Sequence, residues 1–164
     1  MTIPKNHELT RIFFLILVSF VSLTTIPSIV YGSNWVFAGS NEDYTDYYNP
    51  SSIKIDKQNN IIKVWAKLIY TPKGKNDLLN RRKELNLSNE KYMYLNYSLI
   101  LYYFNYKEWK FSSNHVTVYS KSGGILGDGE FPYKWKDIPP DSVAEEMLNK
   151  ILNEYNIHKE TKNN

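Results

Sequence analysis

The chain has 164 residues with 20 basic and 17 acidic side chains, 14 tyrosines, four tryptophans and no cysteine. A formal net charge of +3, spread along the chain, gives no electrostatic case for a nucleic-acid surface. Without cysteine there is no disulfide, no thiolate metal site and no lipid-bearing lipobox, so stability must come from packing, to which tyrosine and tryptophan bring large rings with a wettable polar tip.

Lys5 and Arg11 flank a short polar start, and the run from Ile12 to Leu23 (IFFLILVSFVSL) carries no charge. A break at Thr24-Thr25-Ile26-Pro27 follows, then Val30-Tyr31-Gly32, with compact residues at the two positions read before a cut at Ser33. This is the layout of a secretory signal peptide. A helix of those twelve residues would rise about 18 Å, well short of a ~30 Å hydrocarbon core, so residues 1–32 are expected to be removed on export. Extended to Val30, the same run would instead act as an uncleaved anchor. Loss of Lys5, Glu8 and Arg11 with the leader leaves 132 residues carrying 18 basic and 16 acidic side chains. That is one domain of ordinary size, expected over 33–157, with a polar tail at 158–164.

Period-two alternation dominates the mature part. Short strands are predicted at Asn34–Gly39, Tyr44–Asn49 and Ser52–Asp56, the last two kept apart by Pro50, which a central strand does not tolerate. After a turn at Lys57–Asn60 comes Ile61–Tyr70 (IIKVWAKLIY), the clearest strand, with Ile62, Val64, Ala66, Leu68 and Tyr70 on one apolar face and Lys63 and Lys67 flanking Trp65 on the other. Alternation stops between Thr71 and Glu90, where a short basic surface helix bounded by Gly74 and Asn86 is expected as a solvated connection. It resumes at Tyr92–Asn105, Glu108–Ser113 and His115–Ser120, whose short connections require antiparallel pairing. Ser142 and Glu145 then have capping-box spacing ahead of Val143, Met147, Leu148, Ile151, Leu152 and Tyr155 at helical intervals. An amphipathic terminal helix has only the sheet to lie on, which makes an α+β layer fold, an antiparallel sheet covered on one face by a C-terminal helix.

Motifs for catalysis are absent from the sequence. There is no HExxH, no G-x-S-x-G and no phosphate loop; Gly123-Gly124 and Gly127-Asp128-Gly129 read as turns. His115 and His158 read as ordinary surface histidines, and Glu42, Asp43 and Asp46 lack the spacing of a calcium loop. Neither a cofactor nor a metal is expected.

The order of landmarks resembles a known family. Trp35, Tyr47-Tyr48-Asn49-Pro50-Ser51-Ser52-Ile53, Val64-Trp65-Ala66-Lys67, Tyr119 before a glycine turn, and Trp135-Lys136-Asp137-Ile138-Pro139-Pro140-Asp141-Ser142 resemble the surface-adhesin protein E-like domain of bacterial envelope proteins, from Trp35 to about Leu152. The resemblance implies a sheet of about six strands, a C-terminal helix, and a location in the periplasm, at the cell surface or outside the cell. Two departures stand out: Asn49 replaces an acidic residue common in the family, and a family cysteine pair is missing near Tyr106 and Leu152.

The functional expectation is a non-catalytic binding or adhesin-like module that engages a protein or another envelope component, with host matrix proteins among the candidates. No nucleic-acid partner is expected, and the membrane is met only through the N-terminal segment during export. Tyr92, Tyr94, Tyr102, Tyr103 and Tyr106 cannot all face one core when strand neighbours alternate, which makes them the candidate binding surface. Two other readings stand beside it: a structural subunit of an envelope complex, and an enzyme whose site is assembled from scattered carboxylates and tyrosines.

Overall fold

The computed structural model describes residues 34–157; the expected leader at 1–32 and tail at 158–164 lie outside the described residues. Eight strands and two helices follow in the order β1 (Val36–Ser40), β2 (Tyr44–Tyr48), β3 (Lys54–Asp56), β4 (Ile61–Tyr70), α1 (Pro72–Glu84), β5 (Leu95–Asn105), β6 (Lys110–Ser120), β7 (Ile125–Glu130), β8 (Lys136–Asp137) and α2 (Val143–Glu154). All pairings are antiparallel, in the order β1-β2-β4-β5-β6-β7, with β3 also on β4 and β8 also on β6. Because β5 occupies the whole of one side of β4, β2 and β3 must share the other; β7 and β8 share the outer side of β6 in the same way. The sheet is therefore six positions wide.

The break between β2 and β3 is made by Asn49-Pro50-Ser51-Ser52. Pro50 has no N–H to offer a ladder, and Pro50–Ser52 form a 3-10 turn whose first residue is preceded by Asn49, with the Asn49 side chain accepting the Ser51 N–H at 3.0 Å. Trp65 on β4 consequently faces a gap in its partner strand. Two groups fill it: the Trp65 N–H donates to Ser52 Oγ at 3.0 Å, and the Trp65 carbonyl accepts the Asn49 N–H at 3.0 Å.

Strand β4 sorts side chains to the two faces. Its even residues pair with Phe104, Tyr102, Ile100 and Ser98 and lie under α2, whose Val143, Met147, Leu148, Ile151 and Leu152 complete the core. Tyr106 and Leu152 both belong to this core, so packing occupies the region where the family's cysteines are missing. Ser142 caps α2 by accepting the Glu145 N–H, and the Glu145 carboxylate accepts the Asp141 N–H at 2.8 Å. At its other end the helix is tied to the sheet by polar contacts. Lys150 Nζ donates to the carbonyls of Phe37 at 3.2 Å and Ala38 at 2.7 Å, beside a bulge in β1, and the Tyr48 hydroxyl donates to Glu154 at 3.1 Å.

Several expected boundaries move. Strand β1 begins at Val36 rather than Asn34, and β3 at Lys54 because Ser52 belongs to the 3-10 turn. The stretch from Lys91 to Tyr94 is a second 3-10 turn, so β5 starts at Leu95, not Tyr92. Helix α1 starts before Gly74, with Thr71 as its cap; Gly74 is buried inside it because a Cβ there would sit 2.0 Å from the Asp43 carbonyl oxygen. The two strands expected at Glu108–Ser113 and His115–Ser120 are one strand, β6, with a bulge at Asn114. Gly127-Asp128-Gly129, read as a turn, lies in β7: glycine weakens the alternation signal, and a Cβ on Gly127 would fall 2.2 Å from the Tyr92 hydroxyl seated against it.

One polar group in the core stands out. Asp46 on β2 is 2% exposed and its Oδ1 has no hydrogen-bond partner among the described residues. Burial pushes its carboxyl from 3.8 up to about 8, against a smaller opposing pull from the Tyr47 backbone N–H. The folded protein thus holds this proton more tightly than the unfolded chain does, and stability falls as pH rises between those two values.

Two stability predictions follow from these contacts. Ser52→Ala leaves the Trp65 N–H without its acceptor and is expected to cost about 1–3 kcal/mol in urea unfolding, whereas Ser51→Ala, at an exposed position, should stay within about 0.5 kcal/mol. Asp46→Asn should flatten the pH dependence: between pH 5 and pH 8 the wild type is expected to lose on the order of 4 kcal/mol more than the variant, at about 1.4 kcal/mol per pH unit. Parallel pH profiles in denaturant titrations would refute the second expectation.

Candidate binding surface

The odd residues of β4 point away from α2, and no helix of the described residues lies over them. Trp65 stands between Lys63 and Lys67, as period two requires. Register brings Leu101 of β5 and His115 of β6 into the same row as Trp65, and the Trp65 and His115 rings meet edge to face at 5.5 Å with Leu101 buried between their strands. Two rows along, Tyr97 and Tyr119 are directly paired and stack at 4.8 Å with only 9° between planes. The Lys67 ammonium lies 4.5 Å from the Tyr97 ring and 5.9 Å from that of Trp35, and the Lys63 ammonium lies 5.3 Å from the ring of Tyr103. Tyr133, from the segment after β7, meets Tyr103 edge-on at 4.8 Å. The result is an open sheet face in which two lysines are held over half-buried aromatic rings.

The β6 bulge at Asn114 makes this face possible. Phe111 and Ser113 pair with Phe104 and Tyr102 on the helix-covered side. Without an extra residue His115 would join them; the bulge shifts the phase so that His115, Thr117 and Tyr119 emerge on the open side. There His115 Nε2 lies 3.0 Å from Asp128 and 3.2 Å from Thr117, and Nδ1 lies 3.5 Å from Glu130. Donation from the Thr117 hydroxyl, with His115 adding to it, holds the Asp128 carboxyl below its ordinary value. Despite this crowd of polar groups, no cluster of three or more His, Asp or Glu able to hold a metal occurs among the described residues.

The five tyrosines singled out from sequence do not share a surface. Tyr103 belongs to the open face. Tyr102 and Tyr106 pack against the helix-covered core, and burial holds the Tyr102 phenol well above its ordinary pKa. Tyr94, 70% exposed, and Tyr92 lie in the 3-10 turn before β5; Tyr92 is held between the Arg82 guanidinium, 3.5 Å from its ring, and Gly127. Sequence reasoning set Lys63 and Lys67 beside Trp65 on one face of the strand but missed Tyr97, His115 and Tyr119 as their neighbours, and did not take this face as the binding surface. The odd positions of β4 carried the signal for Trp65 and its lysines, but the pairing of Tyr97 with Tyr119 depends on register.

On the other side of the sheet a cleft of about 340 Å³ opens at the amino end of α2, with Asp46 among its lining residues.

The surface-adhesin protein E family model matches residues 35–151. Two solved structures of Haemophilus influenzae protein E, one of them its crystal form II, superpose with a TM-score of 0.51 at 15% identity, covering 79% of this chain and 90% and 94% of theirs. At that identity the likeness speaks to the fold, an antiparallel sheet with a C-terminal helix. No curated protein matches the sequence. With the family model covering the sheet from Trp35 into α2, the chain belongs to the surface-adhesin protein E family.

Proposed function

We propose that this chain is an exported, non-catalytic adhesin module that binds a protein partner through the open face of its sheet, centred on Trp65, Lys67 and Tyr97. The observation that carries the reading is the row of half-exposed rings with lysine ammonium groups laid over them, uncovered by any helix of the described residues. Aromatic rings on rigid strands lose little conformational freedom on binding, and they are the residues most often found at the energetic centre of protein interfaces. Among the tyrosines expected from sequence, Tyr103 is the one placed to take part; Tyr102 and Tyr106 serve the core. Family membership supports an outside location, and the apolar N-terminal run with its Val30-Tyr31-Gly32 ending supplies the export signal.

The interface is tested by measuring association with immobilised extracellular-matrix and envelope proteins. Trp65→Ala, Lys67→Ala and Tyr97→Ser should each weaken binding at least tenfold, on the order of 1.4 kcal/mol or more, while Tyr102→Phe leaves it unchanged. Binding that survives all three open-face substitutions, or a wild type that binds none of these proteins, counts against the proposal. Export is tested separately by mass spectrometry of the native N-terminus. A start at Ser33 is expected, and an intact Met1 would show that the leader is retained.

A further inference from the structure

On the helix-covered face a cleft opens between β2, β5, β6 and the segment leading into α2. Asp46, Tyr44, Tyr102, Phe111, Asp141 and Ser142 are among its lining residues, and none of the residues lining it is basic. Asp46 is 98% buried, yet Oδ1 is without a partner among the described residues. A buried acceptor left unmade is costly and rare in native folds, and at the wall of an open cleft it marks a place for an outside donor.

We propose that this cleft binds a primary ammonium group, with the Asp46 carboxyl as its counter-ion and the rings of Tyr44 and Tyr102 as its walls. The chemistry of the lining selects the class. Two carboxyl groups and no basic side chain disfavour an anion. The helix end adds no vacant positive pole, since Ser142 and Glu145 already take up its cap. A cation is favoured by a carboxylate together with aromatic faces. Only one oxygen of Asp46 is orphaned, which matches the point-like ammonium better than the planar fork of a guanidinium, which seeks two coplanar acceptors. The same chemistry is offered by a lysine side chain of a protein partner and by a free alkylamine.

Charge linkage gives the site a pH dependence. An alkylammonium stays charged from pH 6.5 to pH 9. The groups that face Asp46 are the phenols of Tyr44, Tyr70 and Tyr102, with Asp141 from the loop before α2 and Glu146 of α2 against Gly39, the register partner of Asp46. Burial holds the Tyr70 and Tyr102 phenols above their ordinary values, so they stay neutral in this window. Asp46, raised to about 8, is the group that changes. Its carboxylate is the binding form, so affinity rises with pH up to about 8, and bound ammonium in turn lowers the Asp46 titration midpoint.

The test is carbon-13 NMR of the aspartate carboxyls in the purified protein, titrated with n-butylamine and, separately, with a short peptide carrying one lysine and a blocked amino terminus. Either probe should shift the Asp46 resonance saturably, bind about tenfold or more weakly at pH 6.5 than at pH 9, and lower the Asp46 midpoint by at least one unit at saturation. Asp46→Asn should abolish saturation, as should Ala144→Phe, which narrows the cleft while keeping the carboxyl; n-butanol and butyrate should not bind. Saturation by the peptide alone identifies a protein lysine as the source, and saturation by butylamine alone identifies a free amine. No response from either probe, tighter binding at low pH, or equal binding by Asp46→Asn overturns the proposal. Trp65→Ala should leave the titration unchanged, which separates this cleft from the open face.

Discussion

Burial of the even side chains of β4 beneath α2 is the interaction on which the rest of the molecule depends. Ile62, Val64 and Ala66 are completely buried there, against Met147, Leu148 and Ile151 of the helix. A strand cannot place neighbouring residues on the same side, so committing one set of residues to the helix commits the other set to the opposite face. Trp65, Lys63 and Lys67 are displayed because Ile62, Val64 and Ala66 are hidden. Binding surface and core are two outcomes of one alternation.

The edges show how a sheet this narrow ends its strands without orphaning backbone groups. At Trp65 the missing partner strand is replaced by a serine hydroxyl and an asparagine N–H, and at β6 the Ser112 hydroxyl and Asn114 carbonyl accept the N–H groups of Lys134 and Phe131 between β7 and β8. At the β1 bulge the Lys150 ammonium donates to the Phe37 and Ala38 carbonyls. Each device uses a side chain or loop amide where a continuous strand would have used its own ladder, and each redirects the chain. The Asn49-Pro50-Ser51-Ser52 landmark, which carried much of the family resemblance, therefore has a structural reason that does not involve ligand contact.

Asp46 runs against this economy. Its neighbours in the core are aromatic and aliphatic, and a neutral isostere would be easier to bury. A fold that tolerates a proton-dependent loss of stability at this position, beside a cleft in its covered face, has the local conflict expected of a functional site rather than of a packing residue.

Alternation along Ile61–Tyr70, the capping pair Ser142 and Glu145, and the apolar stripe of the last helix were enough to determine an antiparallel sheet with a terminal helix, because these features depend on neighbours within a few residues. The family was legible in the order of short landmarks. Register was not. Whether Tyr97 meets Tyr119, whether His115 faces the helix or the solvent, and that Gly127-Asp128-Gly129 extends the sheet were decided by the bulge at Asn114 and by contacts such as Tyr92 on Gly127, which join residues far apart in the chain. For the same reason five tyrosines that looked alike in sequence separated into core, turn and open face. Local pattern sets which elements form; only long-range pairing sets the phase in which their side chains meet.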